Sequence, residues 1–275
     1  MTHWTEELFR ENPALFYDSF EHRMENTPDE VEALLCHLRE CGFAAGRILD
    51  MNCGIGRHSV EIARRGISVI GTDISPRYIG IAGERAREAG VSDNVLFRIA
   101  DMRAIGAALA AERPLDGVIC LWTSFGFYDD DTNEDILRQC RELVRPGGFF
   151  ALDIVNRDWL VKNFVQRGFA RTANYVILEE RMFDAAKSRN HMKWTYLRKA
   201  GENAFELERT VDVDHRVWSP HELVGLLEKT GWECEKLFPG FVRGFIWKGL
   251  SPPPAPEDAL ESPMILYVGR RPADV

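Results

Sequence analysis

The chain has 275 residues, 45% of them hydrophobic and 28% charged, which excludes a disordered chain and predicts one sizeable core with an added element. Its 43 Asp and Glu outweigh 34 Lys and Arg for a net charge of -9. The summed field repels polyphosphates, so nucleic acid is not an expected partner.

Met1 to Glu7 lacks the basic flank and apolar run of a signal peptide, and no apolar stretch reaches the roughly 20 residues that span a bilayer. The six cysteines are scattered without CxxC spacing. They suit free thiols in a reducing compartment, and the expectation is a cytoplasmic protein with no membrane association and no metal site.

The N-terminal part carries Trp4, Phe9, Phe16, Tyr17 and Phe20 ahead of an amphipathic helix over Asp29 to Glu40, with Val31, Leu34, Leu35 and Leu38 on its apolar face. From Arg47 to Asn156, short β-branched runs alternate with helical patterns, which predicts a parallel sheet covered on both faces. Strands are expected at Arg47 to Met51, Ser68 to Asp73, Asn94 to Asp101, Asp116 to Trp122 and Phe149 to Ile154. Helices are expected at Arg57 to Arg65, Arg77 to Ala89 and Asn133 to Val144, the second introduced by Ser75-Pro76.

Beyond Asn156 the pattern becomes a short helix over Asp158 to Phe164 and three alternating segments, Tyr175 to Phe183, His191 to Arg198 and Phe205 to Val213, as in an antiparallel insert. Ser219-Pro220-His221-Glu222 has the form of a capping box. Strands at Glu233 to Phe238 and Met264 to Gly269 then complete the sheet, separated by a proline-rich loop over Gly240 to Ser262. The expected division is a helical lid over 1–45, a ligand-binding core over 46–156, a cap over 157–217 and completion of the core sheet over 218–275.

The most informative stretch is Asp50-Met51-Asn52-Cys53-Gly54-Ile55-Gly56-Arg57-His58-Ser59, where a strand passes through a glycine-rich turn into a helix. Such a turn brings backbone N-H groups against a ligand. A dinucleotide fingerprint would have glycine where Ser59 stands, and Asp50 opposes a pyrophosphate but suits a cation. Asp73 ends the second strand, where a carboxylate can accept ribose hydroxyls, and Asp101 ends the third, so three acids at successive strand ends would line one crevice. Each has a plainer reading as a capping residue.

With these landmarks the chain resembles a class I S-adenosylmethionine-dependent methyltransferase of the small-molecule type with a late antiparallel insert. The first motif is Asp50 to Gly56, the ribose acid Asp73 and the adenine-side pair Asp101-Met102. Leu115 to Trp122 and the Arg145-Pro146-Gly147-Gly148 turn complete the match. The chain departs from the family at Asn52, where glycine is usual; asparagine tolerates left-handed backbone angles well enough to keep the turn.

The resemblance implies an α/β fold with a doubly wound, mostly parallel seven-stranded sheet of Rossmann-like type and a small antiparallel β insert. It implies S-adenosyl-L-methionine as cofactor, held by Asp50, Asn52, Gly54, Gly56, Asp73, Ile74, Asp101, Met102 and Leu121, with Tyr17 and Arg23 from the lid; Arg23 would meet the methionine carboxylate. It implies methyl transfer to N or O of a small-molecule acceptor, contacted by Trp122, Ser124, Phe127, Tyr128, Asn156, Phe245 and Trp247, with Arg243 and Lys248 beside the last two. No catalytic base is designated. His58 reads as a packing residue, His215 and His221 as surface or capping residues, and Asp129 to Asp131 as a helix start. A noncatalytic S-adenosylmethionine sensor and a dinucleotide-dependent oxidoreductase remain the alternatives, the second opposed by Asp50 and Ser59.

Overall fold

The structure, a computed structural model, describes residues 2–44, 46–201, 204–241 and 259–273. Arg47–Met51 (β1) is buried at four of its five positions, the mark of a strand covered on both faces. It lies between Ser68–Asp73 (β2) and Leu115–Cys120 (β4), parallel to both. Val95–Ile99 (β3) adds outside β2, and Val144–Val155 (β5) outside β4. The chain therefore reverses its direction of travel across the sheet between β1 and β4, which opens a crevice beyond their carboxyl ends.

Met264–Arg270 runs antiparallel to β5, and Glu233–Pro239 antiparallel to it in turn, closing a seven-stranded sheet. Successive β1 side chains go to opposite layers. Leu49 and Met51 join Ile136, Leu137, Leu223 and Leu227, whereas Ile48 joins Val31, Leu34 and Leu38. These residues identify the covering helices: Thr27–Glu40 (α2) on one side, Asp130–Leu143 and Pro220–Lys229 on the other.

Local caps set the helix starts. Ser75 accepts from Tyr78 N with Pro76 in the first turn, and Ser219 and Glu222 form the reciprocal capping box. Asp129 accepts from Thr132 N, so the acidic run starts a helix, three residues earlier than expected. The strand expected to reach Trp122 stops at Cys120, because Trp122 and Thr123 turn to φ of 60° and 58°.

The insert is a separate antiparallel sheet of four strands, one more than expected: Arg167–Arg171 (β6), Tyr175–Asp184 (β7), Arg189–Lys199 (β8) and Phe205–Arg216 (β9). The helix before it spans Arg157–Lys162. The N-terminal segment, with a π-helical turn at Glu6–Glu11 and a helix at Ala14–Glu21 (α1), contacts both layers. Trp4, Leu8 and Leu15 share a core with Ile177, Tyr196, Val211 and Val213 of the insert, while Phe20 packs on Tyr78 of the main layer. Among the described residues no helix is long and apolar enough to cross a membrane.

Candidate functional site

At the carboxyl end of β1 the backbone enters the left-handed region at Asn52, with φ of 61°. Its side chain then reaches across the crevice, Nδ2 donating to Ser124 O at 2.8 Å and lying 3.1 Å from Met102 Sδ. Gly54 follows with φ of 56°, and a Cβ there would lie 3.0 Å from the Phe20 ring. Asp73 at the end of β2 fastens this turn: Oδ2 accepts from Gly54 N and Oδ1 from Ser75 N, each at 2.9 Å. Burial pushes its carboxyl up to about 6 despite these bonds.

Asn52, Asp73, Ile74, Asp101, Met102 and Ser124 form the floor of a cavity of about 200 Å³. The N-terminal segment supplies a second wall through Trp4, Thr5, Phe9, Phe16, Phe20 and Arg23, and the insert a third through Ile177, Glu179, Arg181, Asn190, Met192, Trp194 and His215. Trp122, Phe127 and Tyr128, from the loop after β4, also line it.

Other expected residues sit elsewhere. Asp50 does not line the crevice with Asp73 and Asp101; it lies beneath the turn, 2% exposed, accepting from Ser59 Oγ at 2.5 Å. The serine that replaces the third glycine is thus its partner, and burial pushes the Asp50 carboxyl up to about 7. Gly56 permits helix packing, since a Cβ would meet that of Ala82 at 2.7 Å. Leu121 is packed in the core with Ile119, and Tyr17 is not among the lining residues. Asn156 is fully buried as a cap, accepting from Asp158 N at 3.0 Å and donating to Ser262 O at 3.0 Å. Asp101 lines the cavity but is paired with Arg103 Nε at 2.9 and 3.0 Å and also caps the next turn. Phe245 and Trp247, with Arg243 and Lys248, lie outside the described residues.

Beside the floor is a buried charged cluster. The Arg23 guanidinium stacks 3.9 Å from the Trp122 ring centroid, and Arg57 stands 5.4 Å from the same ring. Glu30 pairs with Arg57 and takes His58 Nε2 at 2.8 Å. His58 is thus a packing residue, and burial together with Arg57 pulls its pKa down to about 4. Burial and the Arg57 charge also lower Arg23 to about 9. Arg23 Nη1 donates to Ser19 O, but Arg23 Nε, Ser19 Oγ and Trp122 Nε1 are buried without a hydrogen-bond partner among the described residues. All three residues line the cavity, and a buried donor left unpaired costs roughly 1–3 kcal/mol.

The insert's polar residues were not singled out by sequence reasoning, and His215 is corrected: it is 7% exposed and lines the cavity instead of lying at the surface. The available signal was period-two alternation, which puts Glu179 and Arg181 on one face with Tyr175 and Ile177. His221 is exposed on the first turn of its helix, as expected.

Residues 48–148 match the family of methyltransferase domains. Over 112 residues the chain is 36% identical to a ubiquinone biosynthesis O-methyltransferase of Agrobacterium fabrum, a match covering 40% of this chain and 41% of that protein. The chain thus spans about two-fifths of the length of this curated relative. Structural likeness extends further. An S-adenosylmethionine-dependent methyltransferase from Clostridium acetobutylicum has a TM-score of 0.72 at 14% identity, covering 94% of this chain and 99% of the other. The amino pentose methyltransferase CalS10 of Micromonospora echinaspora, solved with S-adenosylmethionine bound, has a TM-score of 0.65 at 18% identity, covering 93% and 96%. At these identities the likeness is one of fold.

Proposed function

We propose, on the premise that residues 48–148 form a methyltransferase domain in a class I fold, that this protein transfers a methyl group from S-adenosyl-L-methionine to N or O of a small-molecule acceptor. The observation that carries the reading is Asp73. Its carboxylate holds the Gly54 turn at the topological switch of the sheet and still borders the cavity, where each oxygen retains a lone pair for a ribose hydroxyl.

The residues present fit the cofactor. Ile74, Asp101 and Met102 continue the floor from Asp73 toward an adenine site. The unpartnered Arg23 Nε, Ser19 Oγ and Trp122 Nε1 suit the methionine carboxylate, and the Arg23 charge strengthens that bond. Asp50 acts through Ser59 and the turn, as a positioning residue.

When bound, the cofactor supplies an electrophilic methyl group on a sulfonium. The protein's part is to align the acceptor and keep water out. Phe9, Phe16 and Phe127 make the surroundings apolar, and the N-terminal segment acts as the lid that admits ligands. Trp122, Ser124, Phe127 and Tyr128 face the acceptor, with Asn52 fixing Ser124 across the floor.

Calorimetric titration of the whole protein with S-adenosylmethionine and S-adenosylhomocysteine, with NADH as control and Asp73→Ala alongside, tests this reading. Both sulfur ligands should bind, NADH should not, and the variant should lose at least tenfold in affinity. Absence of binding at millimolar S-adenosylhomocysteine would overturn the proposal.

A further inference from the structure

Along the inner face of the insert, alternation places Glu179 and Arg181 of β7, Asn190, Trp194 and Tyr196 of β8, and His215 of β9 toward the cavity. Glu179 and Arg181 satisfy each other as an ion pair. The others differ. Asn190 is 5% exposed and His215 7%, yet Asn190 Oδ1 and His215 Nε2 have no hydrogen-bond partner among the described residues. They are not independent, because Asn190 and His215 are register partners across β8 and β9, with Cβ atoms of such pairs about 4.5–5.5 Å apart. Trp194 Nε1 and Tyr196 Oη, further along β8, are likewise buried and unpartnered.

The pair is also tied to the floor of the cavity. Arg216, next to His215, donates its backbone N-H to Gly126 O at 2.7 Å, in the loop that carries Ser124 and Phe127. Ser124 O in turn receives Asn52. Two adjacent hydrogen-bonding residues of the insert thus line the same cavity as Asp73 and Asn52, beside the rings of Phe16, Phe127 and Trp194.

We propose that Asn190 and His215 form a recognition subsite for two neighbouring polar groups, hydroxyl with hydroxyl or hydroxyl with amine, on a compact ring of the acceptor. This rests on the methyltransferase reading of the cavity. Asn190 Oδ1 accepts from one group. A hydroxyl pairs with His215 Nε2 whichever ring nitrogen carries the proton, since it both donates and accepts. The imidazole is neutral: burial pulls its pKa down to about 4, with Arg189 and His191 nearby opposing its charge and Asp214 favouring it. A neutral imidazole with a carboxamide selects for hydrogen-bonding groups over a second anion, and Glu179 and Arg181 neutralise each other as an ion pair. The chemistry is common to a planar catechol and to a saturated diol or amino alcohol, and the aromatic walls accept either ring face.

Ligand-observed NMR on the whole protein tests the subsite, with and without saturating S-adenosylhomocysteine. The probes are catechol, cis-1,2-cyclohexanediol and trans-2-aminocyclohexanol, with phenol and cyclohexanol as counterparts carrying one polar group. At least one vicinal probe should bind tenfold or more tightly than its counterpart, and whether catechol or the saturated rings gain identifies the ring type. Asn190→Leu and His215→Phe should each remove that preference without lowering the melting temperature, because neither Asn190 Oδ1 nor His215 Nε2 has a partner to lose among the described residues. Asn190→Ser serves if the leucine disturbs the sheet, and His215→Gln should restore the preference. Equal binding of vicinal and single-group probes, or preference retained in both variants, overturns the proposal, as does absence of vicinal binding to protein that binds S-adenosylhomocysteine. Failure of S-adenosylhomocysteine to bind while the vicinal preference persists would remove the methyltransferase reading and keep the subsite.

Discussion

Asn52 Nδ2 donates to Ser124 O at 2.8 Å, so the turn after β1 and the loop after β4 are held together across the mouth of the sheet by one carboxamide. The residue stands at φ of 61°, where glycine is free of strain and asparagine is the next best tolerated. Asn52→Gly gives up the hydrogen bond to Ser124 O and a weak one to Met102 Sδ, about 1 kcal/mol together, and relieves a backbone cost of similar size. Its stability should stay within about 1 kcal/mol of the parent. Asn52→Val loses the bond and adds branched-chain strain, for a loss of about 2–3 kcal/mol. Urea unfolding midpoints separate the two, and a tolerated valine would show that the left-handed turn does not persist in solution.

Arg23 provides a test of which end of the cofactor lies where. Its Nε, Ser19 Oγ and Trp122 Nε1 are unpartnered among the described residues, and a charge-assisted bond to a carboxylate is worth roughly 1.5–3 kcal/mol. Arg23→Gln should weaken S-adenosylhomocysteine by about 10- to 100-fold, the same energy expressed as affinity. Binding of 5′-methylthioadenosine, which has no carboxylate, should change by less than about twofold. Equal losses for both ligands would mean that Arg23 supports the fold and not the anion.

The parallel core was legible because its signals are local. The run at β1 is apolar on both faces, and Ser75-Pro76 and Ser219 to Glu222 announce helix starts within four residues. The strand Arg167–Arg171 was not, since only Ala170 in it is buried and its pairing with β7 supplies the order that its composition does not. The same distinction runs through the site. Asp73 and Asn52 follow from strand end and turn, but Asp50 faces Ser59 beneath the turn, a matter of side-chain direction that a motif does not carry. Asp101 meets Arg103 only two residues away, so the capping reading and the place at the cavity both hold. Asn190 and His215 become neighbours through β8–β9 register alone, 25 positions apart, and nothing in either residue's surroundings in the chain signals it.

The buried His215 predicts a signed pH effect. Its folded pKa, about 4 against an ordinary 6.5, means that the unfolded chain binds the extra proton first. Stability associated with the neutral imidazole is therefore complete above 6.5 and lost as pH falls toward 4. Asp50 and Asp153, the second buried in β5 where it accepts from Trp122 N, are both raised by burial to about 7; they act with the opposite sign and lose stability as pH rises from 3.8 toward that value. The two trends oppose each other in the parent protein, so the difference from His215→Phe isolates the histidine. The variant should gain on the parent as pH falls from 6.5 to 4, by at most about 1.4 kcal/mol per pH unit. Chemical denaturation at four pH values measures this, and a flat difference would mean that the imidazole is hydrated in the folded protein.

The N-terminal segment can be tested as a lid through Trp4. Its Nε1 donates to Asp214 O at 2.9 Å and its ring meets Phe127 edge-on at 4.9 Å, so one indole joins the segment to the insert and to the loop after β4. Removing a buried tryptophan from a core costs about 3–5 kcal/mol, but a segment that opens locally, without the main sheet unfolding, does so at lower cost. Trp4→Ala should therefore leave the main unfolding transition nearly unchanged. It should instead raise the rate of limited proteolysis near Phe9 and Arg10 by about tenfold or more, the equivalent of about 1.4 kcal/mol in local opening. In the parent, S-adenosylhomocysteine should slow the same cleavage, because Phe16, Phe20 and Arg23 border the cavity it would fill. Protection absent in the parent, with ligand binding confirmed by calorimetry, would detach the segment from cofactor binding and leave it a structural buttress.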